Sequence, residues 1–147
     1  MPARFDRLGI AFQYPESWTL DDSDAILGRH SVTVFSPCGA FWSVAVHAAS
    51  ANLRELIATA IEAMKQEYDS LEAEDVRETI AGHELLGTNL AFYCLDLTNT
   101  AQIRSLQTAH STYTIFCQGE DREFERVKDI FKAMTTSLLS ELDRQVK

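Results

Sequence analysis

The period of the hydrophobic pattern switches back and forth along this chain, and that switching limits the fold more than any other feature. Up to Ala48 the apolar residues alternate as strands require. Ile10, Phe12 and Tyr14 share one face before a turn at Pro15, and Trp18 and Leu20 resume in a second short strand. Asp21-Asp22-Ser23-Asp24 reads as a polar loop. Ser31 to Phe35 and Phe41 to Ala48 form another strand pair broken at Pro37-Cys38-Gly39. From Asn52 the step lengthens to three and four: Leu53, Leu56, Ile57, Ala60, Ile61, Met64 and Tyr68 fall on one helical face. Asn52 is a suitable N-cap and Glu55 stands where a capping box needs it, while the acidic stretch Asp69 to Asp75 is expected to end the helix.

Between Val76 and Gln118 the period of two returns as a meander. Turns are expected at Gly82-His83, at Asn99-Thr100-Ala101 and at Ala109-His110-Ser111, with strands over Leu85 to Leu97, Ile103 to Thr108 and Tyr113 to Cys117. Gly119-Glu120-Asp121 then opens a second helix whose apolar stripe is Phe124, Val127, Phe131, Met134 and Leu138. Successive hairpins favour antiparallel pairing, so the expected class is α+β, with a largely antiparallel sheet and two main amphipathic helices. With 147 residues one domain over 1–147 is expected, its tail 140–147 frayed.

Charge narrows the partners. Twenty-two acidic residues against 13 basic give a net charge of −9, which repels phosphate backbones and anionic headgroups, so neither nucleic acid nor a membrane surface is the expected partner. No stretch approaches the ~20 apolar residues that span a bilayer, and no apolar signal core follows Met1, so the expected compartment is the cytoplasm. Cys38, Cys94 and Cys117 form no CxxC pair. Buried free thiols are the expected state, with a Cys94–Cys117 bridge as the alternative because both lie in expected strands.

The run Gly9-Ile10-Ala11-Phe12-Gln13-Tyr14-Pro15-Glu16-Ser17-Trp18 resembles the opening of PsbP-like domains. Tyr113 to Cys117, an acidic turn, then Phe124 through Leu138 resembles their last strand and helix. The resemblance covers nearly the whole chain and specifies core and turn residues. It implies an α/β/α sandwich with about six or seven strands. It also implies a protein-binding role, since the family includes photosystem accessory proteins, a Ran-binding nuclear-transport factor, bacterial lipoproteins and cytoplasmic adaptor-chaperones.

No constellation of catalytic, cofactor-binding or metal-ligating residues emerges. His83 and His110 fall at expected turns, His47 on the less apolar face of its strand, and no His/Cys spacing suits zinc. Cys38 is the loop thiol, with neither a positive neighbour nor a helix N-terminus beside it to activate it. Asp21, Asp22 and Asp24 lack the rest of a calcium loop, and Asp69, Glu72, Glu74 and Asp75 read as a solvated acidic run able to meet a basic partner. Phe41 and Trp42 are the candidate partner-binding residues. Neighbours on a strand face opposite sides, so both are buried only if the sheet is covered on both faces. The expected function is a non-catalytic cytoplasmic adaptor or chaperone-like module that binds another protein. The alternative is a small-molecule or enzymatic domain with a pocket between sheet and helix, and self-association is a third reading.

Overall fold

The computed structural model describes residues 2–26, 30–68 and 70–145, with the side chains of 25 and 26 excepted. The chain opens with β1 (Pro2–Arg7) and β2 (Ile10–Pro15), paired as a two-stranded hairpin of their own. Then come β3 (Thr19–Asp21), the short α1 (Ser23–Ile26), β4 (Ser31–Phe35), β5 (Phe41–Ala48) and α2 (Leu53–Glu67). The remainder is β6 (Glu72–Ile80), β7 (His83–Cys94), β8 (Leu97–Gln107), β9 (Ser111–Glu120) and α3 (Asp121–Gln145). Strands β3 to β9 form one antiparallel sheet in the order β3-β4-β5-β9-β8-β7-β6. The fold is α+β.

The sheet order follows from where α2 delivers the chain. Leaving β5, α2 crosses to the far edge and starts β6. The meander β6-β7-β8-β9 then walks back until β9 pairs with the free edge of β5, Trp42 opposite Cys117 and Val44 opposite Ile115. Both faces carry a core. On one, α3 lays Phe124, Val127, Phe131, Met134 and Leu138 on the sheet beside the hairpin's Phe5, Ile10 and Phe12. On the other, Ile57 and Met64 of α2 pack on Leu90 and Phe92 of β7 and on Ala101 and Ile103 of β8. The α2 cap forms as its sequence requires: Asn52 Oδ1 accepts from the Glu55 amide at 3.1 Å. At α3, Glu120 Oε2 accepts from the amides of Arg122 and Glu123 at 2.6 and 3.2 Å.

Four expectations need correcting. A strand at Pro2–Arg7, where Ala3 and Phe5 alternate with Arg4 and Asp6, is absent from the expected elements; it pairs with Ile10–Pro15, and β3 pairs with β4 in the large sheet. The turn expected at Asn99-Thr100-Ala101 lies instead at Leu95-Asp96. Residues 99–101 are needed in β8 opposite Glu120–Gln118 of β9, where Ala101 is wholly buried. The acidic run after α2 is strand and not loop, because Glu72, Glu74 and Asp75 belong to edge strand β6; Asp69 lies outside the described residues. Finally, α3 continues to Gln145 and buries Leu142, so the tail is helical up to that point.

One charge is built into the larger core. Arg104, its side chain 8% exposed, donates from Nε to Glu78 Oε1 at 2.8 Å, from Nη2 to Asn89 Oδ1 at 2.7 Å and from Nη1 to the Ile103 carbonyl at 2.9 Å. A buried guanidinium is tolerated only when paired and hydrogen-bonded in this way. Gly87 makes the room: a Cβ there would stand 2.0 Å from the Ile103 oxygen and 2.9 Å from Arg104 Cδ. Gly87→Ala should therefore cost about 3 kcal/mol, read as a lower urea midpoint at unchanged slope. Unaltered stability would mean that β7 and Arg104 do not approach in this way.

Candidate docking site

Strand alternation at Phe41-Trp42 sends the two rings to opposite faces of the sheet. Trp42 turns toward α3 and is wholly buried, its ring centroid 4.7 Å from that of Phe12 and its Nε1 donating to Thr135 Oγ1 at 3.0 Å. Of the pair, only Phe41 has surface to offer. It stands half-buried on the α2 side, but α2 packs over β7 and β8, and no residue of β3, β4 or β5 belongs to the α2 core. There Phe41 stacks on Phe116 of β9 at 5.7 Å and meets Phe35 of β4 at 5.8 Å, an aromatic row crossing three strands.

The row lies at one end of the sheet, and other apolar side chains gather there. Register places Phe35 opposite Phe41, Phe41 opposite Gln118, Asn99 opposite Glu120 and Cys94 opposite Leu97. The β4–β5 loop, the end of β9 and the β7–β8 turn therefore share that end. Five large apolar side chains are exposed among the described residues. Four of them are here: Phe35 at 37%, Tyr93 at 57%, Leu95 at 92% and Leu97 at 52%; the fifth, Leu8, is on the separate hairpin. Phe35 and Leu97 face the α2 side and alternation turns Tyr93 to the α3 side, while β5 and β9 separate Phe35 from the β7–β8 turn. The local group is therefore Tyr93, Leu95 and Leu97 around that turn, where a single exposed leucine would need no explanation.

Positive φ at residues other than glycine marks this turn, as it does Leu8, Ser70 and Ala81 among the described residues. Leu95 and Asp96 both take positive φ, 53° and 63°, as a two-residue hairpin turn demands, although Asn-Gly suits that geometry far better. Leu95 thus has a left-handed backbone and an almost fully exposed apolar side chain. Around the patch the charge is negative, from Glu72 and Glu74 on β6, Asp96 in the turn, and Glu120 and Asp121 where β9 meets α3. Asp121 also accepts from Thr100 Oγ1 at 2.8 Å, which ties the start of α3 to β8.

The other candidates do not converge. His30 and His110 are exposed, His47 is half-buried on the α2 side of β5, and His83 Nε2 lies 2.8 Å from Asp143 Oδ1 at the surface. Asp21 accepts from the Ser23 amide and hydroxyl, which holds its carboxyl below the usual range. Among the described residues no cluster of three or more His, Cys, Asp or Glu could hold a metal ion, and no helix is long and apolar enough to cross a membrane. Among the described residues three hollows reach about 450 Å³ or more, one of them lined by Ser50 to Arg54, Leu86 and Gln107 at about 450 Å³. A groove of about 720 Å³ runs between β2 and α3 past Tyr14, Pro15, Ile130 and Met134, and a cleft of about 450 Å³ separates α2 from β6 and β7.

All three cysteines are free, and the Cys94–Cys117 bridge is ruled out because Cys94 faces α2 while Cys117 faces α3. Burial pushes the Cys117 thiol far up, the nearby Arg104 charge offsetting only part of that.

No protein-family model matches the sequence, and no curated protein sequence matches it significantly. Solved structures do. Cyanobacterial PsbP (CyanoP) from Synechocystis superposes with a TM-score of 0.56 at 17% identity over 92% of this chain and 90% of that one. The Saccharomyces cerevisiae Ran-binding protein Mog1p gives 0.53 at 10% identity over 98% and 93%. The chain has the PsbP-like fold. A Pseudomonas aeruginosa protein of unknown function, PA94, shares it at 0.57 and 10% identity over 93% and 95%. Identities this low establish the PsbP-like architecture and carry no residue role across.

Sequence reading reached Phe41 but missed Tyr93, Leu95 and Leu97. Tyr-Cys-Leu-Asp-Leu alternates as a half-buried strand would, and nothing in it reports that the chain reverses at Leu95. Two outcomes follow. Replacing Leu95-Asp96 by Asn-Gly should stabilise the protein by about 1–2 kcal/mol, raising Tm by about 2–8 °C, since the turn then takes residues suited to positive φ. A thiol reagent should label exposed Cys38 first and Cys117 only on unfolding, counted by mass spectrometry with and without denaturant.

Proposed function

We propose that this chain is a non-catalytic cytoplasmic adaptor or accessory module that binds another protein through the apolar end of its sheet. The carrying observation is the exposure of Tyr93, Leu95 and Leu97 at the β7–β8 turn, whose Leu95 backbone is left-handed, at the end of the sheet where Phe35 is also exposed. Leu8 shares both features at 39% exposure, but Leu95 is 92% exposed and flanked by the exposed Tyr93 and Leu97, a combination best accounted for by a contact outside the chain. Phe41 supports the patch from behind through its contacts with Phe35 and Phe116. The surrounding carboxylates favour a partner whose rim is basic and oppose anionic lipid. Among the neighbours in fold, Mog1p is a Ran-binding protein, so this architecture is compatible with binding a protein.

Photo-crosslinking checks the reading. A benzophenone side chain placed at position 95 should trap one discrete partner in lysate of the source organism, and the same group at Leu8 should not. The yield should drop at least tenfold when Tyr93→Asp and Leu97→Asp are added, and should fall with added salt. Equal trapping at both positions, or none at position 95, would refute the proposal.

A further inference from the structure

The cleft between α2 and the edge of the sheet has a polarity that the docking reading does not use. Its apolar wall comes from Ile57, Ala58 and Ile61 on one helical face and from Leu86 on β7. Helix α2 runs alongside β7 in the same direction: Arg54 lines the cleft with Leu86, and Tyr68 past the helix end packs on Phe92 at 4.4 Å. One end of the cleft is therefore set by Leu86 and its cross-strand partner Arg77, the other by Asp75 opposite Thr88.

Charge divides the same way. Arg54 reaches the cleft from the helix and forms no ion pair among the described residues; Arg77 reaches it from β6 and is held by Glu84 at 3.2 Å. Both guanidiniums border Leu86. At the far end the carboxylate of Asp75 accepts from the buried Thr88 hydroxyl at 3.3 Å. In a chain of net charge −9, a cleft with aliphatic walls whose arginine end keeps Arg54 outside any ion pair among the described residues, beside an Arg77 already held by Glu84, is an exception to the general field. Its volume, about 450 Å³, falls in the range of roughly 300–1,000 Å³ usual for small-molecule sites. The larger groove beside α3 lacks this polarity, its charged lining residues being Glu16 and Asp129.

We infer that the α2–β6–β7 cleft binds a small amphipathic anion, its charged group between Arg54 and Arg77 and its apolar body along Ile57, Ala58, Ile61 and Leu86. Guanidiniums suit a carboxylate, sulfonate or phosphate head because their planar donors match two acceptor oxygens at once. The aliphatic walls reward a body with no polar groups of its own. This site is distinct from the aromatic row on β4, β5 and β9, since β8 lies between β9 and β7.

The probe is 8-anilinonaphthalene-1-sulfonate, an aromatic body with one sulfonate, titrated against the intact chain by fluorescence. A saturable single site is expected. Arg54→Glu with Arg77→Glu should weaken it at least tenfold, and Ala58→Trp, which fills the cleft, should abolish it. Leu95→Asp should leave it unchanged. Because Arg54, Ala58 and Arg77 are exposed, circular dichroism should show each variant folded, and Arg54→Ala alone gives a milder check, expected to weaken binding severalfold. No saturable binding, or binding indifferent to both arginines and to Ala58→Trp, would overturn the inference. Loss on Leu95→Asp would overturn it too, by placing the probe on the apolar end of the sheet. Crosslinking at position 95 is a separate readout, so either proposal can fail without the other.

Discussion

The indole of Trp42 is the contact on which the arrangement depends. Its ring sits in the middle strand of the β4-β5-β9 group, packs on Phe12 of the hairpin and donates to Thr135 of α3. Three parts of the chain that are far apart in sequence thus meet on one side chain. A buried indole N–H must find an acceptor, and Thr135 supplies one from a helix turn otherwise lined by Met134, Leu138 and Leu139. That hydrogen bond ties α3 to β5, and packing of Trp18 on Phe131 at 5.8 Å extends the same seam. With Trp42 inward, alternation leaves Phe41 no choice but the opposite face.

The two faces are treated unequally, and the inequality creates the surfaces of interest. Helix α3 is long enough to serve the strands from β2's hairpin side across to β6, whereas α2 lies over β7 and β8 alone. The uncovered half of the α2 side keeps Ser31, Thr33, Ser43 and His47 between solvent and strand, and gathers its aromatics only at one end. Along the edges, β3 is three residues long and β6 carries Glu72, Glu74, Asp75, Arg77 and Glu78. Short or charged edge strands resist pairing with another sheet. Neither edge of this sheet is therefore suited to strand addition.

Arg104 shows how the larger core admits a charge without an open cost. It is ringed by Glu78, Asn89 and the Ile103 carbonyl, and Gly87 leaves free the space that the Arg104 side chain occupies against β7. The strained Leu95-Asp96 turn is the contrary case, since no internal contact explains a leucine there. Rules of local structure are kept at Arg104 by compensation inside the fold, and broken at Leu95 where the compensation would have to come from outside.

The sequence by itself determined the class of fold, because the alternation of Ile10-Phe12-Tyr14, the helical stripe from Leu53 to Tyr68 and the second stripe from Phe124 to Leu138 are periodicities that local geometry enforces. The cap at Asn52 and the opposite facing of Phe41 and Trp42 were equally legible, since each depends on neighbours within a few residues. Tertiary structure decided the rest. That β2 pairs with β1, that Asn99 to Ala101 stay in β8, and that Leu95 is an exposed turn and not a buried strand residue all depend on long-range register. Likewise the cleft between Arg54 and Arg77 exists only because α2 settles beside the edge strand that follows it. Periodicity says which residues share a face. Which face is covered, and by what, depends on contacts between residues tens of positions apart, and no local pattern encodes those.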